Sequence, residues 1–289
     1  MKRLAKALLT PPTYDNERME MRGAVYENYV IVPDSLRLTR GAWRPTDPAT
    51  IPYGSRPEVT IESGIYLGRF HTHFGHFLVE TLPMLRWGWG NNETLVFHLW
   101  DSFGYERACA AYIAFLTREA GIDLARFHFV RRLTLVQSLG LCRQPMVYHG
   151  ETDVSFGEIY GRVSRRQRRR ASPKLLYLSR RRFARQLTDE EPIEEVFTSC
   201  GFTIVHPETL PIEDQIGLVA NAHIVAGLGG SALHLCAFMN GSGACVVLKT
   251  REIPAIQAVN DALGIATFWI DAGDPALASK LQIIVAELA

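Results

Sequence analysis

Short apolar segments and amphipathic segments alternate along the second half of the chain, at intervals typical of strands and helices. The apolar segments are rich in β-branched residues, and each is followed by a segment with helical periodicity. This alternation predicts a parallel sheet that is covered by helices on both faces. The predicted strands are Leu175–Leu178, Thr203–Val205, His223–Ala226, Ala244–Leu248 and Thr267–Ile270. The predicted helices are Asp189–Cys200, Pro211–Ala220, Gly230–Met239 and Pro275–Leu288.

The first half has a less regular pattern. Residues 1–60 are rich in proline, glycine and polar residues, and an arginine-rich run at 162–170 separates this half from the regular second half. We therefore predict two domains, residues 1–170 and 171–289. Predicted strands of the first domain include Tyr29–Val32, Leu95–Trp100, Phe127–Val130 and Leu133–Val136, with a strand pair or strand–turn at Ile61–Phe70. Predicted helices are Glu106–Ala120, ended by Gly121, and one that runs from Phe156 into the arginines.

Composition narrows the class of protein. The chain has 289 residues, of which 47% are hydrophobic and 21% charged, and a net charge of +1. This balance gives no reason to expect a nucleic-acid partner. The five cysteines include no CxxC pair, and no apolar run approaches the roughly 18–20 residues of a membrane span. We expect a cytoplasmic protein with reduced thiols, which acts at a membrane only peripherally.

A glycine-rich turn follows one of the predicted strands. In IVAGLGGSALHLCAF, residues 224–238, an apolar strand leads to Gly227, Gly229 and Gly230, and Ser231 opens a helix. Glycines permit close backbone approach, and the first N–H groups of a helix bind anions, so the turn could hold a phosphate. The dinucleotide fingerprint is not met. The alternative is a tight turn that holds no ligand.

Basic residues follow the first strand of the second domain. In LLYLSRRR, residues 175–182, Arg180 comes directly after the strand, and Arg185 lies slightly further on. The carboxyl ends of parallel strands meet at one edge of a sheet, so these arginines should lie near the glycine turn, where a guanidinium suits a diphosphate. His206 and Glu208 follow the next strand at the same edge and could contact a base or ribose. The alternative is that the arginines are solvated loop charges.

The first half concentrates its chemistry in HTHFGHFLVE, residues 71–80. Three histidines within six positions suggest a metal site, but no acidic or cysteine partner has a recognised metal-ligand spacing. A helix that starts near Gly75 would instead place His76 and Glu80 on one face, four residues apart. The third alternative is that His76 is a structural histidine between the domains.

These motifs, taken in order, resemble glycosyltransferase family 61. The similarity covers about residues 66–248, from the GHFLVE stretch through YLSRRR to the Gly227–Ser231 turn. It implies two Rossmann-like α/β domains that face each other across a cleft (GT-B type), with a C-terminal helix that can pack back on the first domain. It also implies an inverting transferase that uses a nucleotide-sugar donor and no essential metal or other cofactor, in polysaccharide biosynthesis of the capsular type.

The resemblance suggests roles for the candidate residues. The second domain would bind the donor through Arg180, Arg185, Gly227, Gly229, Gly230, Ser231, His206 and Glu208. In the first domain, either Glu80 or His76 would serve as the catalytic base, and His73 would contact a glycan or glycolipid acceptor.

Three positions depart from the family pattern. Gly229 replaces a usual histidine, Leu235 a usual asparagine, and Asp189 the asparagine that precedes Glu190. The alternative function is therefore a non-catalytic nucleotide- or glycan-binding protein on the same fold.

The arginine run, residues 162–170, is either a solvated helix face or a surface for an anionic membrane. It lacks the aromatic residues expected of a single-strand nucleic-acid binder, so we expect no nucleic-acid partner.

Overall fold

The computed structural model describes residues 1–15, 20–33, 54–100, 110–143, 154–167, 173–182, 189–239, 243–249 and 254–288. Arg185, Arg168, Arg169 and Arg170 lie outside the described residues. The chain divides into two compact units, Met1–Gly150 and Glu151–Ala289. The described residues 154–167 therefore group with the second unit, whereas the sequence pattern placed them in the first domain.

The first unit is built on a mixed sheet of seven strands, in the order β5-β4-β1-β9-β6-β7-β8. β9, β6, β7 and β8 run parallel, whereas β1 is antiparallel to both β4 and β9. The strands are β1 Lys2–Leu9, β4 Val25–Glu27, β5 Val30–Ile31, β6 Val59–His71, β7 Thr94–Trp100, β8 Phe127–Phe129 and β9 Thr134–Leu141, and a separate hairpin joins β2 Thr13–Asp15 to β3 Glu20–Arg22.

This sheet differs from our prediction in two respects. It is not the parallel Rossmann-like sheet expected, because the unpredicted strand β1 pairs in antiparallel fashion between β4 and β9. The segment predicted as a strand pair or strand–turn is one long strand, β6, in which Gly68 adopts a positive φ of 82° where the pairing with β7 shifts register.

Helices of several types connect the strands of the first unit. After β6, the chain forms α1 (Phe74–His76), continues as a π-helix over Phe77–Thr81 and ends as a 3-10 helix over Leu82–Gly88. Pro83 lies in the first turn of the 3-10 segment. Helix α2 (Ala111–Glu119) is followed by Gly121 at a φ of 79°, as the predicted stop requires.

A buried histidine links β7 to the N-terminal strand. His98 Nε2 lies 2.8 Å from the Thr10 carbonyl, so Nε2 carries the hydrogen, and Nδ1 accepts from the Tyr66 hydroxyl at 2.7 Å. The pKa of His98 is lowered to about 4, chiefly by burial and to a smaller extent by the charge of Arg69, although the bond to Thr10 acts in the opposite direction. His98 is therefore neutral at physiological pH.

The second unit has the parallel sheet that the alternating pattern predicted. Its five strands, all parallel, have the order β11-β10-β12-β13-β14. The strands are β10 Leu175–Leu178, β11 Thr203–Val205, β12 Ile224–Leu228, β13 Ala244–Lys249 and β14 Ala266–Asp271. The helices are α3 Glu158–Gln167, α4 Glu191–Ser199, α5 Ile212–Ala220, a 3-10 helix Ser231–Phe238, α6 Pro254–Leu263 and α7 Leu277–Leu288.

Two helices of this unit bear on the predictions. Helix α6 was not predicted, although its buried residues Ala255, Ile256 and Val259 have helical spacing. The buried residues of α7, Leu277 and Leu281 among them, belong to the core of the second unit. The expectation that this helix packs back on the first domain stays a prediction.

No helix among the described residues is both long and apolar enough to cross a membrane.

Candidate active site

The strand order of the second unit reverses direction beside β10. From β10 the chain pairs β11 on one side and β12 on the other. In open parallel sheets, ligands bind beyond the carboxyl ends of the two strands where the order reverses. Here those ends are occupied by Ser179 and Arg180 after β10, and by the Gly229–Ser231 turn after β12.

Gly227 is required by the packing of these two strands. It lies in register with Leu178 of β10. A Cβ atom at position 227 would lie only 2.9 Å from the Leu178 carbonyl oxygen and 3.4 Å from Leu233 Cδ2. Gly227 therefore lets β10 and β12 approach, and its contribution to a ligand site is indirect.

Gly230 leaves space for an arginine. A Cβ atom at position 230 would lie 2.6 Å from Arg180 Nη1 and 3.3 Å from Arg180 Cζ. The φ angle of Gly230 is 175°, which is extended backbone open to any residue, so the space that it leaves, not its conformation, distinguishes this glycine. The structure thus brings Arg180 and the glycine turn together, as predicted from the strand ends.

Arg181, the next residue, has a different environment. Its guanidinium pairs with Glu191 at 2.7 Å and with Glu194 at 3.4 Å, both on α4. The Ser179 hydroxyl donates to Glu194 at 2.6 Å and accepts from the Arg181 N–H at 3.1 Å. Of these two neighbouring arginines, Arg181 is held against α4, and Arg180 lies against Gly230.

Fewer backbone amides of the turn are available to an anion than the sequence pattern suggested. The Gly229 N–H donates to the Leu248 carbonyl of β13 at 3.0 Å, so this amide is committed to the sheet. Gly230 is the N-cap residue, and Ser231 is the first residue of a 3-10 helix instead of the cap of an α-helix. The Leu233 N–H already donates to the Gly230 carbonyl at 3.1 Å. The first N–H groups of a helix lack intrahelical acceptors, so the amides of Ser231 and Ala232 are the ones placed to meet an anion.

His206 and Glu208 lie at the same edge of the sheet. His206 directly follows β11, and Glu208 is in a one-turn 3-10 helix, Pro207–Thr209. The side-chain amide of Gln215 donates to the carbonyls of Pro207 at 2.8 Å and Leu210 at 2.9 Å. Gln215, which we had not predicted as a site residue, therefore fixes the segment that carries both.

In the first unit, the predicted pair of His76 and Glu80 is formed. His76 Nδ1 lies 2.6 Å from Glu80 Oε1. The Glu80 side chain is 6% exposed, whereas that of His76 is 50% exposed. Glu80 lies on the π-helical turn, a rare conformation that is frequent at functional sites. The Glu80 carboxylate is thus buried, and the His76 imidazole is the member of the pair that solvent can reach.

A second imidazole contacts the same carboxylate. His71 Nε2 lies 3.4 Å from Glu80 Oε2, and the His71 side chain is 6% exposed. His71 is the last residue of β6, and its N–H donates to the Thr81 hydroxyl at 3.0 Å. Each oxygen of Glu80 therefore faces one histidine. Sequence spacing gave no indication of this contact, because His71 is on a strand and Glu80 on a helix.

His73 lies beside the pair without contacting Glu80. Its ring centroid is 5.4 Å from that of His76, in an edge-on arrangement. Desolvation lowers the pKa of His73, and the charge of His76 lowers it further, even though the residue is exposed. His73 is therefore a neutral, surface-accessible hydrogen-bonding group at physiological pH.

His71, His76 and Glu80 are the described residues that could hold a metal ion. One ligand atom from each lies within 4.8 Å of the others. However, the rings of His71 and His76 are stacked, with centroids 5.2 Å apart and planes only 25° from parallel. An imidazole binds a metal in its own ring plane, so one ring would have to turn before both could bind one ion.

Comparisons with known proteins give one family. A family model described as glycosyltransferase 61 matches residues 74–247, which is more than half of the chain. A comparison with curated proteins gives no match. The matched region contains the His76–Glu80 pair, Arg180 and the glycine turn after β12, and the chain belongs to glycosyltransferase family 61.

Proposed function

We propose that this protein transfers a sugar from a nucleotide-sugar donor to a glycan or glycolipid acceptor, with inversion, in polysaccharide biosynthesis. Family membership implies glycosyl transfer. The observation that supports this proposal best is the Arg180 guanidinium against Gly230, at the reversal point of a parallel sheet. The proposal keeps the GT-B type of two-domain organisation that the resemblance implies.

The second unit would bind the donor diphosphate. The Arg180 guanidinium can pair with two phosphate oxygens, and the amides of Ser231 and Ala232 add the positive end of a helix dipole. Both favour the negative charge that develops on the diphosphate as its bond to the sugar breaks. His206 and Glu208, on the segment held by Gln215, would contact the base or ribose.

The first unit would supply the base, and its geometry favours His76 over Glu80. Both oxygens of Glu80 face imidazoles, and the carboxylate is buried. His76 is half exposed, and its Nδ1–H donates to Glu80, which leaves Nε2 as the proton acceptor. This is the arrangement in which a carboxylate orients a histidine base.

The proposed step is a single displacement. His76 Nε2 removes the proton from an acceptor hydroxyl, and the oxygen attacks the anomeric carbon on the face opposite the diphosphate. The new glycosidic C–O bond forms as the bond to the diphosphate breaks, and the electron pair leaves on the diphosphate. One displacement inverts the anomeric configuration. The proposed displacement requires no metal, and His73 would contact the acceptor.

The proposal is tested with a panel of nucleotide-sugars, by thermal shift and then by donor turnover. Arg180→Ala should weaken donor binding. His76→Gln should keep donor binding and lose turnover by about 10²–10⁴-fold, the range for general base catalysis. Glu80→Gln should lose less, since the imidazole remains. If Glu80→Gln loses more than His76→Gln, Glu80 is the base; if no nucleotide-sugar or nucleoside diphosphate binds, the proposed function is wrong.

The alternative is a non-catalytic nucleotide- or glycan-binding protein. The observation that favours it is the fully buried Leu235, at a position where the resemblance to the family implies a polar asparagine. Stabilisation by a nucleotide-sugar without turnover in any acceptor mixture would support this alternative.

The proposed location is the inner face of the cytoplasmic membrane. Helix α3 buries Ile159, Tyr160 and Val163 and exposes Arg165 and Arg166. Such a basic face is attracted to anionic head groups, where a glycolipid acceptor would be found.

A further inference from the structure

Glu190 is a buried carboxylate near the carboxyl end of β10, in the sheet of the second unit. It immediately precedes α4 and is 3% exposed. Both of its carboxylate oxygens accept from the Arg180 N–H, each at 3.1 Å, and Oε2 also accepts from the Tyr177 hydroxyl at 2.9 Å. Its side chain makes no capping bond to α4, so the carboxylate is directed at the end of β10.

Burying an ionised carboxylate costs free energy unless hydrogen bonds compensate for the water that it loses. Burial raises the pKa of Glu190, and the bonds from the Arg180 N–H and the Tyr177 hydroxyl counteract that rise. Tyr177 itself is fully buried in β10, which makes the hydroxyl a fixed donor. Glu190 therefore joins the start of α4 to the backbone at the point where Arg180 leaves the sheet.

The neighbouring acidic residues act on a different arginine. Glu191 and Glu194 bind the Arg181 guanidinium, whereas Glu190 binds the Arg180 peptide N–H. A bond to the backbone fixes the origin and direction of the Arg180 side chain and leaves the guanidinium to extend to Gly230.

We infer that Glu190 is a positioning residue, which sets the location of the Arg180 guanidinium and thereby the affinity of the site for a diphosphate. This inference rests on the proposed donor-binding function. Glu190 acts mainly through the geometry of its hydrogen bonds to an amide and a hydroxyl, and its negative charge also attracts the Arg180 guanidinium.

Two substitutions at Glu190 separate geometry from charge. Glu190→Gln keeps the length: its carbonyl can accept from the Arg180 N–H, and its amide can donate to the Tyr177 oxygen. Glu190→Asp keeps the charge but is one methylene too short to reach both partners. We expect the affinity for inorganic pyrophosphate, measured by titration calorimetry, to fall roughly 10-fold or more in Glu190→Asp and to change little in Glu190→Gln. Glu191→Gln, which alters only a partner of Arg181, is the matched control.

A double-mutant cycle shows whether the effect passes through Arg180. If it does, Glu190→Asp should have no further effect on pyrophosphate affinity in an Arg180→Ala background. Hydrogen exchange of the Arg180 amide should also accelerate in Glu190→Asp and stay slow in Glu190→Gln.

Distinct results would overturn the inference and the proposed function. Additive effects of the two substitutions, or a loss in Glu190→Gln with full affinity in Glu190→Asp, would overturn the positioning role alone. A wild-type protein that binds neither pyrophosphate nor any nucleoside diphosphate would overturn the donor site, and the inference with it.

Discussion

Replacing Gly227 or Gly230 by alanine adds the same methyl group to two nearby positions, with different expected results. At position 227 the new Cβ would lie 2.9 Å from the Leu178 carbonyl oxygen, which belongs to a paired strand and cannot move alone. At position 230 it would meet the end of the Arg180 side chain, which can rotate away. The first variant should therefore lose stability, and the second should lose ligand affinity.

The magnitudes follow from the atoms that are contacted. Overpacking against rigid backbone destabilises by about 1–3 kcal/mol, which for a protein of this size lowers the melting temperature by roughly 2–12 °C. Displacing a side-chain tip should change stability by about 0.5 kcal/mol or less. Loss of the Arg180 contact should weaken pyrophosphate binding by roughly 10–100-fold, the range for one hydrogen bond to a charged group.

Thermal denaturation and titration calorimetry of both variants test this pair of expectations. The reasoning is refuted if Gly227→Ala melts at the wild-type temperature, since β10 and β12 would then accommodate the added methyl group despite its short distance to the Leu178 carbonyl oxygen. It is also refuted if Gly230→Ala binds pyrophosphate with wild-type affinity, since the position of Arg180 would then be irrelevant to the anion.

Three further expectations concern pH, metal and lipid. Because the pKa of His98 is lowered, its contribution to stability is complete above about pH 6.5, and about 3 kcal/mol of stability is lost as the pH falls towards 4. Chemical denaturation should therefore show that the stability of His98→Gln depends less on pH in this window. A pH profile identical to that of the wild type would contradict the neutral, buried state assigned to His98. Dialysis against a chelator should leave donor turnover unchanged. A loss of turnover that a divalent ion restores would instead indicate a metal site, for which His71, His76 and Glu80 are the candidate ligands. Arg165→Gln and Arg166→Gln should each weaken binding to anionic vesicles in a sedimentation assay by roughly 5-fold, at about 1 kcal/mol per arginine, and unchanged binding would count against membrane contact.

The second unit was predictable because its order depends on local patterns. Each strand is a short apolar run, and each connection carries helical periodicity, so chain order and parallel pairing follow from general rules. The meeting of Arg180 with the glycine turn follows from the same rules, since both segments leave strands at one edge. The distinction between Arg180 and Arg181 does not follow, because it depends on which arginine the glutamates of α4 bind.

The first unit was less predictable because its pairings are distant in the chain. β1 pairs with β9, and nothing near Lys2–Leu9 indicates a partner at Thr134–Leu141. The spacing of His76 and Glu80 gave their contact, since it is internal to one helix. The contact of His71 with Glu80 depends on how the chain turns between β6 and α1, which residue spacing alone does not specify.

The reversal point between β10 and β12 has a consequence for folding. Leu178 and Gly227 are neighbours in the sheet, but β11, α4 and α5 are inserted between them in the chain. The segment that joins them must close into a loop before the two halves of the proposed donor site exist, and such non-local pairing slows folding. A ligand of this site binds only protein molecules in which this pairing is complete. Its binding therefore shifts the folding equilibrium of the second unit towards the native state. Under the proposed function, the cellular concentration of the nucleotide-sugar would then influence how much of the protein survives proteolysis, as well as how fast it works.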